Sequence, residues 1–153
     1  MGPMANTNAA ITKRVRGQDA YYTVVWSHIQ RASKSAVIRS VPSVAGIFEL
    51  YVLDQGNTPN LIRTRRAWYG GLRHSLREYG DPTVCKDRRV LSLLKSKRLY
   101  FRYTVCHNPD DLNDVLSYLS TVQPRAVGDI EPSGRYRDIY VSVQSVGGMV
   151  DIA

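Results

Sequence analysis

Three histidines and two cysteines are all the nitrogen and sulfur metal ligands this 153-residue chain offers. Cys85 and Cys106 follow no zinc spacing, and three histidines do not complete one. Two reduced, half-buried thiols are expected, as in a cytosolic protein; a disulfide would require the two to lie side by side. No apolar run reaches the roughly 18–20 residues that a membrane span needs. No apolar stretch follows the first charges, as a secretory signal would require. A cytoplasmic protein with no membrane partner is therefore expected. Internal repeats and low-complexity tracts are also missing. Met1-Gly2-Pro3-Met4 reads as an added leader ahead of a natural start at Met4.

What is present is enough apolar residue for one core, 43% of the chain, and a net charge of +8. The charge is uneven. Residues 61–102 hold twelve Lys or Arg against three acids, whereas residues 103–153 hold three against seven. Arginine outnumbers lysine sixteen to five. A planar guanidinium fork suits bidentate contact with phosphate, and a localised basic patch raises the rate of encounter with a polyanion. A basic surface kept for solubility is the alternative.

Residues 1–18 are small, polar and finally basic, and read as a flexible tail ahead of one domain over 19–153. Asp19 suits an N-cap, and Tyr22, Val25, Trp26 and Ile29 fall at helical spacing, predicting a helix over 20–33. The β-rich run 21–26 leaves a strand open. The apolar run 45–53 predicts a central strand buried on both faces, followed by a turn at 54–60 and a return strand over 61–69. A short helix over 72–79 and another over 88–96, capped by Asp87, come next. A third strand spans 98–105. Asn108, Pro109, Asp110 and Asp111 then start a helix over 109–121, because the proline ring fits the first turn and the acids suit its positive end. Ile139, Val141 and Val143 alternate with polar residues as a C-terminal strand. Together these predict an α+β fold, a small and mostly antiparallel sheet flanked by helices.

Within that order, Gly46-Ile47-Phe48 heads the first central strand and Trp68-Tyr69-Gly70 ends the second, with Arg73 and Arg77 on the following helix. The β-β-α-α-β-α run over about half the chain resembles the GIY-YIG nuclease superfamily. The second motif reads in the register 68–70 or as Tyr69-Gly70-Gly71. The resemblance implies a phosphate held by Tyr69, Arg73 and Arg77, with a guanidinium stabilising charge in the transition state. It also implies a divalent cation, Mg²⁺ or Mn²⁺, held by a carboxylate on the later helix. Three departures stand out. Phe48 replaces the first motif's tyrosine, Trp68-Tyr69-Gly70 is a shifted or substituted second motif, and no glutamate occurs over 109–121, where Asp114 or Asp111 is the nearest carboxylate; the connection between the motifs is also longer than usual. The site is thus degenerate.

A DNA or RNA partner is expected along the basic segment, through Arg63, Arg65, Arg66, Arg73, Arg77, Lys95, Lys97 and Arg98. No base-reading signature accompanies them, so contact would be weakly sequence-specific. An active metal-dependent endonuclease and a purely structural or interacting domain, including a homo-oligomer, are the competing readings. In bland terms, Arg73 and Arg77 are a solvated helix face, His74 is a surface group, and Asp110, Asp111 and Asp114 are a first-turn cluster.

Overall fold

Burial alternates along residues 19–26: Ala20, Tyr22, Val24 and Trp26 are buried, while Tyr21 is exposed. A period of two belongs to a strand with one covered face. In the computed structural model, which describes residues 9–145, Asp19–Trp26 is accordingly strand β2 and not the helix expected over 20–33. Tyr22 and Trp26 satisfy both periods, and the β-branched and aromatic run between them decides for the strand. Ahead of it, Ile11–Arg16 is strand β1, turned back at Gly17 and paired antiparallel with β2 from Ile11↔Val24 to Arg16↔Asp19. The expected tail over 1–18 is corrected accordingly; its residues 1–8 lie outside the described residues, as do 146–153.

Two short elements follow that the sequence did not suggest, β3 (Gln30–Arg31) and α1 (Lys34–Ser40), the latter capped by the Ser33 hydroxyl, which accepts from the Ala36 amide. The predicted hairpin is present as β4 (Gly46–Leu53) and β5 (Pro59–Ala67). Asp54 builds its turn by accepting the amides of Gly56 and Thr58. Then come α2 (Gly71–Gly80), α3 (Arg88–Leu94), β6 (Leu99–Val105) and α4 (Pro109–Val122). A single turn, α5 (Pro124–Val127), and strand β7 (Asp138–Ser145) complete the described chain. Asp87 and Asn108 cap α3 and α4 as their spacing predicts, each accepting two first-turn amides.

The strands make two sheets. One is antiparallel in the order β3-β6-β4-β5; the other, β1-β2-β7, has β7 parallel to β2. Helices flank the strands, so the α+β class holds. β4 is the centre, and its alternate side chains enter different cores. Phe48, Leu50 and Val52 pack with Val37 of α1, Leu72 and Leu76 of α2 and Val90 of α3. Ile47 packs with Leu112, Val115 and Leu116 of α4 and with the inner face of β2. Helices α2 and α4 therefore lie on opposite sides of β4. Gly46 is obligatory where β4 meets β6, since a Cβ there would collide with the Thr104 backbone oxygen. No helix among the described residues is long and apolar enough to cross a membrane.

Candidate functional site

Gly70 and Gly71 both adopt φ of 78°, which turns the end of β5 sharply into α2. A Cβ on Gly71 would stand 2.7 Å from the Ser43 carbonyl carbon, so only glycine lets α2 sit this close to segment 42–44. Docking there takes up the first-turn amides. Leu72 N donates to Val44 O at 2.8 Å and Arg73 N to Pro42 O at 3.3 Å. Arg73 adds its Nε, donated to Val41 O at 2.8 Å. The helix start expected beside a phosphate is thus occupied by the chain itself. Tyr69 is 90% exposed in the preceding turn. One turn beyond Arg73, Arg77 is exposed and borders a cleft of about 660 Å³ with Lys34, His74, Glu78 and Asp81. His74 and Glu78 pair at 2.7 Å across one helical turn.

Asp114 lies across β4 from these arginines, fully buried at the α4 face. Its Oδ2 accepts from Tyr22 Oη at 2.6 Å, Arg135 Nη2 at 3.0 Å and Ser133 Oγ at 3.1 Å; its Oδ1 accepts from Ser133 N at 2.7 Å. Asp111, one turn earlier, accepts from Lys13 at 3.0 Å and Arg135 at 2.8 Å, and its Oδ1 lies 3.1 Å from the Tyr22 hydroxyl, whose one proton points to the nearer Asp114. Burial alone would raise the Asp111 carboxyl, but the Arg135 and Lys13 hydrogen bonds outweigh it and hold it below the ordinary range. Burial, then the hydrogen bond to Asp114, pushes the Tyr22 phenol up, so it stays protonated as a donor. A divalent cation does not fit. Arg135 already stands between both carboxylates, and no three His, Cys, Asp or Glu side chains are grouped as metal ligands among the described residues. The metal role expected of Asp114 is replaced by a structural one, tying α4 to β2 and to Ser133 and Arg135, while Asp111 adds the tie to β1 through Lys13.

The basic segment divides just as clearly. Arg63 is paired with Asp87 at 2.8 Å. Arg65 donates to Ala126 O and Arg66 to Asn113 Oδ1. These three, with Arg73, brace the fold. Arg77, Lys95, Lys97 and Arg98 are exposed and make no ion pair or hydrogen bond among the described residues. Three cations omitted from the expected set behave alike: Lys86, Arg88 and Arg89 are exposed and make no ion pair among the described residues. Residues 86–98 thus carry six cations and one acid, and that acid, Asp87, is committed to Arg63 and to the cap of α3. Arg88 and Lys95 border a shallow depression together with Ser92, and Pro82 joins it to the cleft beside Arg77. Seven residues along a helix place those two cations about 10 Å apart. The local charge count carries this signal, since Lys86, Arg88 and Arg89 flank the cap at Asp87. The acids of the last third neutralise other groups, since Asp111, Asp114 and Asp138 pair with Lys13, Arg135 and Arg137.

Fold and surface together define a small α+β domain with six exposed cations on and around α3 that make no ion pair among the described residues. The chain belongs to the family described as "Uncharacterised protein", whose model matches residues 10–148. No curated protein and no solved structure matches it.

Proposed function

We propose that this chain is a nucleic-acid-binding domain that keeps a GIY-YIG-like order of strands and helices without the nuclease chemistry. The observation that carries this reading is the strip over residues 86–98, six exposed cations that make no ion pair among the described residues, with only Lys97 near enough to a carboxylate, that of Asp54, to be felt by it. Unpaired Lys and Arg displace counterions from phosphates, and that release supplies affinity without base recognition. The order β4-β5-α2-α3-β6-α4 supports the kinship. The separation of Arg73 and Arg77 from Asp114, and the saturation of Asp114, support the loss of hydrolysis. A cytoplasmic location accords with Cys85 and Cys106, both free and buried.

Binding of labelled duplex DNA and duplex RNA, followed by fluorescence anisotropy over about 50–200 mM salt, tests the proposal. On a log–log plot against salt, duplex DNA affinity falls with a slope of about −0.9 per phosphate contacted. Lys95→Ala, Lys97→Ala and Arg98→Ala each make that slope shallower by about 1. No binding at the lowest salt, or slopes indifferent to these substitutions, would end the reading.

A further inference from the structure

The outer face of the β1-β2-β7 sheet is a second surface, remote in sequence from the α3 strip. On it, strand register sets Arg14 beside Tyr21 and Tyr21 beside Tyr140. The two rings are stacked, with centroids 4.9 Å apart and planes 13° from parallel. That spacing matches the distance between neighbouring strands, so the rings stand off the sheet side by side. Both are substantially exposed, Tyr21 at 39% and Tyr140 at 50%. Among the described residues β7 is the edge strand of this sheet, so the stack ends on the outward ring face of Tyr140. At the other end Arg14 is exposed and makes no ion pair or hydrogen bond among the described residues. The next row of the same face is Thr12, Thr23 and Ser142, three hydroxyls that can both donate and accept. The acids of the face, Asp19 and Asp138, are both engaged by Arg137; with Arg14 and Arg16 the face carries three cations against two acids, and Arg14 and Arg16 make no ion pair among the described residues.

We infer that this face is a stacking platform for single-stranded nucleic acid. An unpaired base continues the ring stack on Tyr140, Arg14 meets a phosphate or caps the stack, and the hydroxyl row meets base edges. Aromatic faces accept any base, so sequence tolerance is expected; a duplex, whose bases already stack on one another, has none to offer. This surface does not depend on the α3 strip, and the two are separable by the form of nucleic acid each prefers.

The test is anisotropy with a labelled oligo(dT) or oligo(U) of about twelve residues, beside a duplex of equal length, the platform itself spanning only a few bases. Tyr21→Ala and Tyr140→Ala each weaken single-strand binding about fivefold or more, the lower limit for losing a stacked base. Tyr21→Phe and Tyr140→Phe retain it, and duplex binding stays unchanged in all four variants. Lys95→Ala with Arg98→Ala weakens duplex binding while the dependence on Tyr140 persists. A second measurement needs no substitution: photocrosslinking of the wild-type protein to an iodouracil oligonucleotide labels peptides covering Tyr21 or Tyr140. Single-strand affinity unaltered when Tyr21→Ala and Tyr140→Ala are combined, crosslinks confined to other segments, or duplex binding without any single-strand binding would each overturn the inference. The last would leave the α3 strip as the one binding surface.

Discussion

Asp114→Asn separates a structural carboxylate from a metal-binding one by stability alone. In the folded protein Asp114 receives four hydrogen bonds, from Tyr22, Arg135 and both polar atoms of Ser133. An asparagine can keep its oxygen toward the Ser133 amide, which turns its NH₂ toward Tyr22, Arg135 and the Ser133 hydroxyl. The two hydroxyls can rotate to accept; the guanidinium cannot. Removing one partner of a buried ion pair costs about 3–5 kcal/mol. Arg135 retains Asp111 at 2.8 Å and its side chain is 31% exposed, so the low end applies, about 3 kcal/mol. For a chain of this size that lowers the melting temperature by roughly 6–12 °C. Circular dichroism melts with and without Mg²⁺ measure it, and a double-mutant cycle with Tyr22→Phe should show coupling above about 0.5 kcal/mol. A carboxylate kept for a cation behaves oppositely, since neutralising it in the metal-free protein relieves repulsion from Asp111. A melting temperature within about 2 °C of wild type, or raised, would refute the structural role.

Three further outcomes are expected. Gly46→Ala forces a methyl group into the Thr104 carbonyl between two paired strands and should cost more than about 4 kcal/mol, read as a urea midpoint or as insoluble expression. Gly56→Ala, whose Cβ meets nothing closer than 3.6 Å, should cost less than about 1 kcal/mol. Asp87→Ala removes the cap of α3 and the partner of Arg63 together, for a loss of about 1–2 kcal/mol at neutral pH in denaturant titration. At Asp87, burial would raise the carboxyl, but Arg63 and the Val90 and Arg89 amides hold it below its ordinary value. A carboxyl depressed by folding stabilises above its unfolded pKa, about 4, and that contribution is lost as pH falls through the lower folded value. Stability of wild type should thus fall more steeply than that of Asp87→Asn as pH drops below about 4; parallel curves would contradict the assignment.

The parts of the fold legible in the sequence are those fixed by neighbours along the chain. A run over Gly46–Leu53 that is apolar but for Glu49 reads as a strand covered on both faces. Asn108 and Pro109 start a helix by local chemistry alone. Residues Ile11–Arg16 carry no such local signal. Lys13 looks like one charge of a solvated tail, yet it is an inward-facing strand residue whose partners, Asp111 and Tyr136, lie far down the chain. The same holds for β2, where Tyr22 and Trp26 fit two periods and pairing with β7 decides between them. At the candidate site, the sum of charge in segment 61–102 was readable, but its division was not. Arg63 finds Asp87, and Arg65 finds a carbonyl on α5, through contacts that exist only once the sheet has formed. Asp114 sits at helical spacing with Asp111, as a ligand pair would; its burial follows from Ser133 and Arg135 closing over it.

The parallel pairing of β2 with β7 joins segments separated by nearly the whole described chain. During synthesis the β2 strand leaves the ribosome more than a hundred residues ahead of its β7 neighbour, so the edge of β2 that β7 will pair stays open while the middle of the chain is made. Nascent molecules would then pass through an interval in which a half-built sheet can pair with the wrong strand, including that of another nascent copy. A stop codon before Asp138 would make that interval permanent, and such truncated products should accumulate as aggregates even though the β4–β6 core is already encoded in full.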